Sequence, residues 1–303
     1  NLRAALDAPG EWYLNAATGR LTIIPPAGYS ETSQIIAPVV GRVIELSGTR
    51  EQPIQHLHFR GLTFRVSHYT PEDGCGGYGM GNNGAVYLGH AAYSSIEGCT
   101  FAGLGRYAVC VAGGGDNSIT HNHISDSAQG GILLLGSARN LVTDNHIHDI
   151  GVVYKHIGGV VLQGAGTDDN LVAHNWIHDS SRYGITIKNG GLRNVIEFNR
   201  VERTNTETYD TGAIEVTQQD RNLRAHSIIR NNIVADSIGY SSEFEKPLRC
   251  GWGIYLDSFA GGYTVTDNIC YRTSHGGIML QGGKDNIIEN NIFVDSTVYQ
   301  ARI

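Results

Sequence analysis

The chain has 303 residues and a formal net charge of -7, a balance that argues against a nucleic-acid partner, which would favour a basic face. Glycine fills 40 positions, roughly twice its usual share, and proline only 7, which excludes collagen-like and Pro-rich disordered chains. With 41 % hydrophobic and 17 % charged residues this is a folded, turn-rich protein, and no apolar run approaches the ~20 residues of a membrane span. No charged-then-apolar leader opens the chain at Asn1, and it stops at Ile303 within a repeat, the pattern of a processed or truncated product.

In chain order, residues 1–50 come first, with the hairpin-like stretch GEWYLNAATGRLTIIPP, and are expected to form a β segment that packs on or caps the repeats downstream. From residue 51 a repeat governs the sequence. Units of the form Asn-x4-Asn-x-apolar recur at Asn117/Asn122, Asn140/Asn145, Asn170/Asn175, Asn194/Asn199 and Asn286/Asn291, with Asn232 and Asn268 at the second position of two more. Upstream, HFRGLTF and SIEGCTFAGLG fit the same frame. Each unit pairs with a second short apolar strand that opens on a small residue: GGILLLG, GGVVLQG, YGITIKN, TGAIEVT, WGIYLDS and GGIMLQG. The second asparagines are 23, 30, 24, 33, 36 and 23 residues apart. Two or three short strands in so short a unit cannot bury a face alone but can when stacked. The expected fold is all-β, a right-handed single-stranded parallel β-helix of about nine coils over residues 51–303, each coil rising ~4.8 Å. The asparagines read as turn ladders. The histidines at 121, 123, 146 and 148 read as polar turn positions and not as metal ligands. Asp168, Asp169 and Asp285, each near a ladder asparagine, read as turn formers. Cys75, Cys99, Cys110, Cys250 and Cys270 show no CxxC spacing and read as small buried hydrophobes, with one disulfide pair left open. No cofactor and no metal centre are expected.

The longer coils all lengthen at one link, in the stretches 62–84, 149–159, 202–212 and 237–253. In a stacked fold, inserts at one corner wall a groove along one edge of the rod. Strand alternation in GIYLD turns Ile254 and Leu256 inward and Tyr255 and Asp257 outward. The same frame puts Gln163, Lys188 and Gln281 in the outward column with Asp257, and in TGAIEVT either Glu215 or Val216 joins it. Asp210 sits just before that strand, at the corner where the inserts rise. Asp210 and Asp257 come from adjacent coils, and two carboxylates across a short gap suit glycoside hydrolysis, one as acid, the other as nucleophile or base. Lys188 is placed to hold one carboxylate ionised, and Glu215 is a spare carboxylate. Tyr255 and Trp252 offer flat faces for a sugar ring. Lys155, His156, Tyr183 and His275 occupy the same corner and can bond a hydroxyl or assist proton transfer.

The stretches APGEWYLNAATGRLTIIPPAG (8–28), DTGAIE (210–215), GWGIYLDSFAGG (251–262) and GGIMLQGGKDNIIENNIF (276–293) resemble the β-helix glycoside hydrolases of family 141. That resemblance implies an α-L-fucosidase- or xylanase-like activity, an extracellular or periplasmic setting, and catalytic carboxylates at Asp210 and Asp257. Family members often carry Tyr where this chain has Glu215, and a second Asp where it has Ser258. The implied partner is a poly- or oligosaccharide, with a capping domain or a second chain at the open helix ends. Two other classes compete. A polysaccharide lyase or epimerase would use Lys188 or Lys155 as base, and a carbohydrate-binding or adhesive β-helix would turn nothing over.

Overall fold

The computed structural model describes residues 2–69, 81–241 and 248–303. The chain divides into two compact units, Asn1–Ala37 and Pro38–Ile303. The first holds an antiparallel hairpin, Trp12–Asn15 with Arg20–Ile23, closed by a turn in which Gly19 takes φ 68° and donates its N–H to the Asn15 carbonyl. The expected boundary at residue 50 lies too late. Ile44–Ser47 pairs in parallel with Gly84–Ala92, so the helical sheet takes in residues ahead of that position.

The second unit is the expected right-handed parallel β-helix. Among the described residues its strands form one eleven-stranded and two nine-stranded parallel sheets. One coil reads Ser118–Thr120, His123–Ser127, Ile132–Leu135, one strand in each sheet, before Leu141–Thr143 opens the next. We call these the second, third and first sheets, the first being the eleven-stranded one.

Register explains why the repeat stacks. In the first sheet Ile44, Val86, Val109, Ile132, Val160, Ile185, Ile214, Ile254 and Ile278 are successive partners and point into the rod. The third sheet contributes Phe64, Phe101, Ile124, Ile147, Ile177, Val201, Val234, Cys270 and Phe293 in the same way. Nearly all are buried, and β-branched residues suit a pleated, packed face. Each large member contributes about 1.5–3 kcal/mol when fully buried. Cys270 fills one of these rows as a small apolar side chain, and burial pushes its thiol up. Cys99, Cys110, Cys250 and Cys270 are all free, so no disulfide forms among the described cysteines; Cys75 lies outside the described residues.

The second asparagine of each unit builds the turn between the second and third sheets, and the first asparagines form a ladder of their own between the first and second sheets. A residue at positive φ, such as His121 (58°), Asp144 (59°) or His174 (57°), bends the chain from the second sheet into the third, and the asparagine follows. Asn145 donates its backbone N–H and its Nδ2 to Asn175 Oδ1 at 3.0 and 2.9 Å and its Nδ2 also to the Ile119 carbonyl at 2.9 Å. The same bonds run from Asn122 to Asn291, dry and fully paired through most of the stack. Asp169 and Asp285 take φ 56° and 57°, the left-handed turn geometry that Asp tolerates better than most side chains. Among the described residues no helix is long and apolar enough to cross a membrane.

Candidate active site

The expected inserts that fall on described residues lie at one corner, between a strand of the third sheet and the next strand of the first, while residues 219–226 lengthen a link from the first sheet to the second as well. The corner links are residues 151–157, 205–210 and 238–250, and the last contains a small hairpin, Tyr240–Ser241 with Leu248–Arg249. Residues 70–80 and 242–247 of the expected inserts lie outside the described residues. Lys155 in one insert bonds Glu207 in the next at 2.7 Å, and its Nζ also reaches the Val152 carbonyl, so it braces the corner.

On the outer face of the first sheet, at the end of its strands away from this corner, Gln163, Lys188, Thr217 and Asp257 occupy one row of successive partners, all half-buried. Neither of the two residues considered for this row in TGAIEVT occupies it. Ile214 and Val216 stack over Ile254 and Leu256 toward the core, which turns Val216 inward. Glu215 is on the outer face one step back, partnered with Thr186 and Tyr255, and Thr217 takes the row position. Aligning the aliphatic pair of AIEVT on that of GIYLD would have found Thr217.

Glu215 is 2 % exposed and every oxygen is engaged. Oε1 receives Lys188 Nζ at 2.5 Å and Thr217 Oγ1 at 3.2 Å, and Oε2 receives the Gly212 N–H at 3.0 Å. Burial works against its charge, yet Lys188, Arg182 and these hydrogen bonds outweigh burial and leave the carboxyl below its ordinary value. Burial likewise pushes the Lys188 ammonium down, with Glu215 opposing. Lys188 Nζ also donates to Tyr183 Oη at 3.0 Å and Thr217 Oγ1 at 2.7 Å, and Tyr183 Oη meets His156 Nε2 at 3.2 Å. Arg182, a neighbour that spacing did not reveal, lies over the Tyr183 ring with its guanidinium 4.7 Å from the centroid.

Asp257 behaves oppositely. Thr217 Oγ1 lies 3.4 Å from its Oδ2 and 3.2 Å from Glu215 Oε1, so the two carboxylates lie no farther apart than those two lengths together. Burial raises the Asp257 carboxyl first, the Glu215 charge raises it further, Lys188 offsets part of this, and Asp210 adds to the rise. Asp210 itself is exposed, at φ 51°, directly before Thr211–Gln218. Its charge also acts on Tyr255, whose hydroxyl is pushed up by burial first and then by Asp210, Asp257 and Glu215.

The aromatic residues expected as sugar platforms are covered. Trp252 and Tyr255 are 2 % and 3 % exposed and cluster with Met279 outside the main core. The Trp252 ring lies over Gly276 in the next coil, where a Cβ would collide with it, and His275 meets it edge-on at 4.6 Å. Tyr255 donates its hydroxyl to Gln281, an exposed residue past the strand end. Gln163 Oε1, in the outward row, is buried with no hydrogen-bond partner. A separate recess of about 520 Å³, lined by residues that include Ser237, Arg249, Arg272 and Ser274, opens at the last insert. Asp210, Glu215 and Asp257 are not among its lining residues.

Residues 59–234 match the family model described as "Right handed beta helix region". No curated protein matches the sequence. Among solved structures, one titled "Glycoside hydrolase" shares 18 % identity at a TM-score of 0.77, covering 96 % of this chain and 57 % of its own. This chain thus spans little more than half of that protein. An alginate lyase from a Paenibacillus species shares 18 % identity at a TM-score of 0.57, covering 85 % of this chain and 86 % of its own. The Dettilon tailspike protein shares 15 % identity at a TM-score of 0.54, covering 82 % of this chain and 54 % of its own. At such identities the likeness is one of fold. The family model takes in more than half of the sequence, over a stack of parallel coils with the expected register, and the chain belongs to the right-handed β-helix family.

Proposed function

We propose that the protein hydrolyses glycosidic bonds of an oligo- or polysaccharide, with Asp257 as the proton donor and Asp210 as the nucleophile or the base for water. The observation that carries this reading is the opposed state of two neighbouring carboxyls. Asp257 is held toward its protonated form by burial and by the fixed charge of Glu215, while Glu215 stays ionised against Lys188. A carboxylic acid kept protonated above its ordinary range is what a glycosidic leaving oxygen needs. Glu215 is too enclosed to attack a sugar, whereas Asp210 is exposed at the end of an insert and its charge acts on Asp257. The glycoside hydrolase among the fold neighbours and the resemblance to family 141 both favour this chemistry, and α-L-fucosides and xylan are the first substrates to try. Hydrolysis of such a substrate is expected, with the setting extracellular or periplasmic where polysaccharides occur. Asp257→Asn and Asp210→Asn should each lose about 10²–10⁴-fold in kcat/KM with unchanged far-ultraviolet circular dichroism. Full activity in either variant rejects that residue's role. Full activity in Asp210→Asn with loss in Glu215→Gln would move the partner role to Glu215.

A lyase is the second reading, favoured by the contiguous His156, Tyr183 and Lys188 and by the alginate lyase among the fold neighbours. Against it, Tyr183 is 1 % exposed and its hydroxyl is pushed well up by burial and by the Glu215 charge, which makes it a poor base. Release of an unsaturated product absorbing in the ultraviolet from a uronate polymer would favour the lyase.

A further inference from the structure

Four histidines outside the candidate site converge on the outer face of the third sheet. His123 partners His146 in the adjacent coil, and His148 partners His178 in the coil after that. Because successive residues of a strand face opposite sides, His146 and His148 share the outer face while Ile147 between them points into the core. Neighbouring coils therefore deliver imidazoles to one patch although 23 to 32 residues separate them in sequence. Ligand nitrogens of His123, His146 and His148 all lie within 4.8 Å of one another, and the three side chains are half-buried.

We propose that His123, His146 and His148 form a binding site for a divalent transition metal, zinc being the first choice, which clips adjacent coils together on the face formed by the third sheet. Three observations carry it. First, His123 Nε2 and His148 Nε2 are 3.4 Å apart, close to the edge of about 3.3 Å that Zn–N bonds of 2.0–2.1 Å give in a tetrahedron. Second, the rings are oriented from behind. Asp149 Oδ2 lies 2.6 Å from His148 Nδ1, and a carboxylate accepts, so Nδ1 carries the proton and Nε2 presents its lone pair to the patch. Asp179 does the same for His178 at 2.5 Å and is itself held by Arg203 through two bonds of 2.9 Å. Third, Trp176 stacks on His146 at 4.3 Å and 3°, which fixes that ring in its row. His178 Nε2, 2.8 Å from His146 Nε2, is a nitrogen placed to take a fourth position. An all-imidazole set suits zinc, copper or nickel and not calcium or magnesium, which take oxygen ligands. No redox step and no covalent change are involved.

The test is zinc titration of untagged protein after dialysis against a chelator, read by calorimetry and by metal content after gel filtration. One equivalent bound with a dissociation constant tighter than about 10⁻⁵ M is expected. His146→Asn and His148→Asn should each abolish it, and Asp149→Asn, which removes only the carboxylate behind His148, should weaken it about 10–100-fold. Cobalt in place of zinc should give the visible bands of a tetrahedral site. Circular dichroism of the variants verifies the fold, since every substituted side chain is outside the core. Asp257→Asn should bind zinc as the unaltered protein does, so this result stands or falls separately from the hydrolase reading. Binding weaker than that threshold, or equal binding in the histidine variants, overturns the proposal.

Discussion

Lys188 Nζ and Glu215 Oε1 are 2.5 Å apart, with the two side chains 12 % and 3 % exposed. An ion pair this enclosed gains little net stability against an apolar pair, but removing one partner strands a buried charge. Lys188→Met is therefore expected to cost about 3–5 kcal/mol in urea unfolding. The double variant Lys188→Met/Glu215→Leu should lose markedly less than Lys188→Met alone. Additive losses would show that the pair does not act as a unit.

Burial first, and then the charge of Glu215, sets the pH behaviour of Asp257. A raised carboxyl binds its proton more firmly in the folded state than in the unfolded chain. Stability is thus lost as pH climbs from the ordinary value of 3.8 through the raised one. Asp257→Asn should have a higher Tm than the unaltered protein at pH 7, an advantage that fades near about pH 3, where the carboxyl is protonated in both states. Thermal scans at the two pH values check this, and a lower Tm at pH 7 would contradict the sign.

Activity should carry the mirror image. If Asp257 must be protonated to donate, the basic limb of kcat/KM reports its pKa. Glu215→Gln removes a negative neighbour and leaves Lys188 acting on Asp257, so that limb should move to lower pH. A limb that stays in place would separate Glu215 from the proton donor.

The asparagine ladder predicts a stability gradient along the stack. Asn175→Ala would leave the Asn145 backbone N–H and Nδ2 facing a dry turn without their shared acceptor. At about 1–3 kcal/mol for each unsatisfied group, a loss of about 2–4 kcal/mol is expected. Asn291→Ala, at a half-exposed turn where water can substitute, should lose less. Chemical unfolding of the two variants side by side is the measurement.

Gly276 is the position over which the Trp252 ring lies, and it has no room for a methyl group. Gly276→Ala should displace that ring, lowering stability by about 1–3 kcal/mol and shifting tryptophan emission to the red. Unchanged emission would mean that the ring does not depend on this contact.

The rod is legible because it is written locally. A left-handed turn residue followed by Asn, and an apolar pair two residues apart in the next strand, recur in coil after coil. Stacking such units needs only that like side chains overlie like. The corner inserts are legible for the same reason, as departures from a fixed length. The row position of Thr217 is not, because GAIEVT offers two apolar registers until Ile214 and Val216 are seen over Ile254 and Leu256. Nor is the burial of Trp252 and Tyr255. Alternation places Tyr255 on the outer face, but only the packing of Trp252 over Gly276 and the bond from Tyr255 to Gln281 show that this face is covered.

The sequence by itself determined the winding, its register outside the TGAIEVT strand and the corner that takes most of the extra residues, since these follow from repeating turn geometry and strand parity. Tertiary structure alone decided which side chains meet between coils: Lys188 with Glu215, Thr217 with Asp257, His148 with His123. Those meetings span 25 to 40 residues of chain and depend on rotamers, burial and local charge. No spacing rule carries that information, because residues equally far apart along the chain end up touching in one row and on different faces in another.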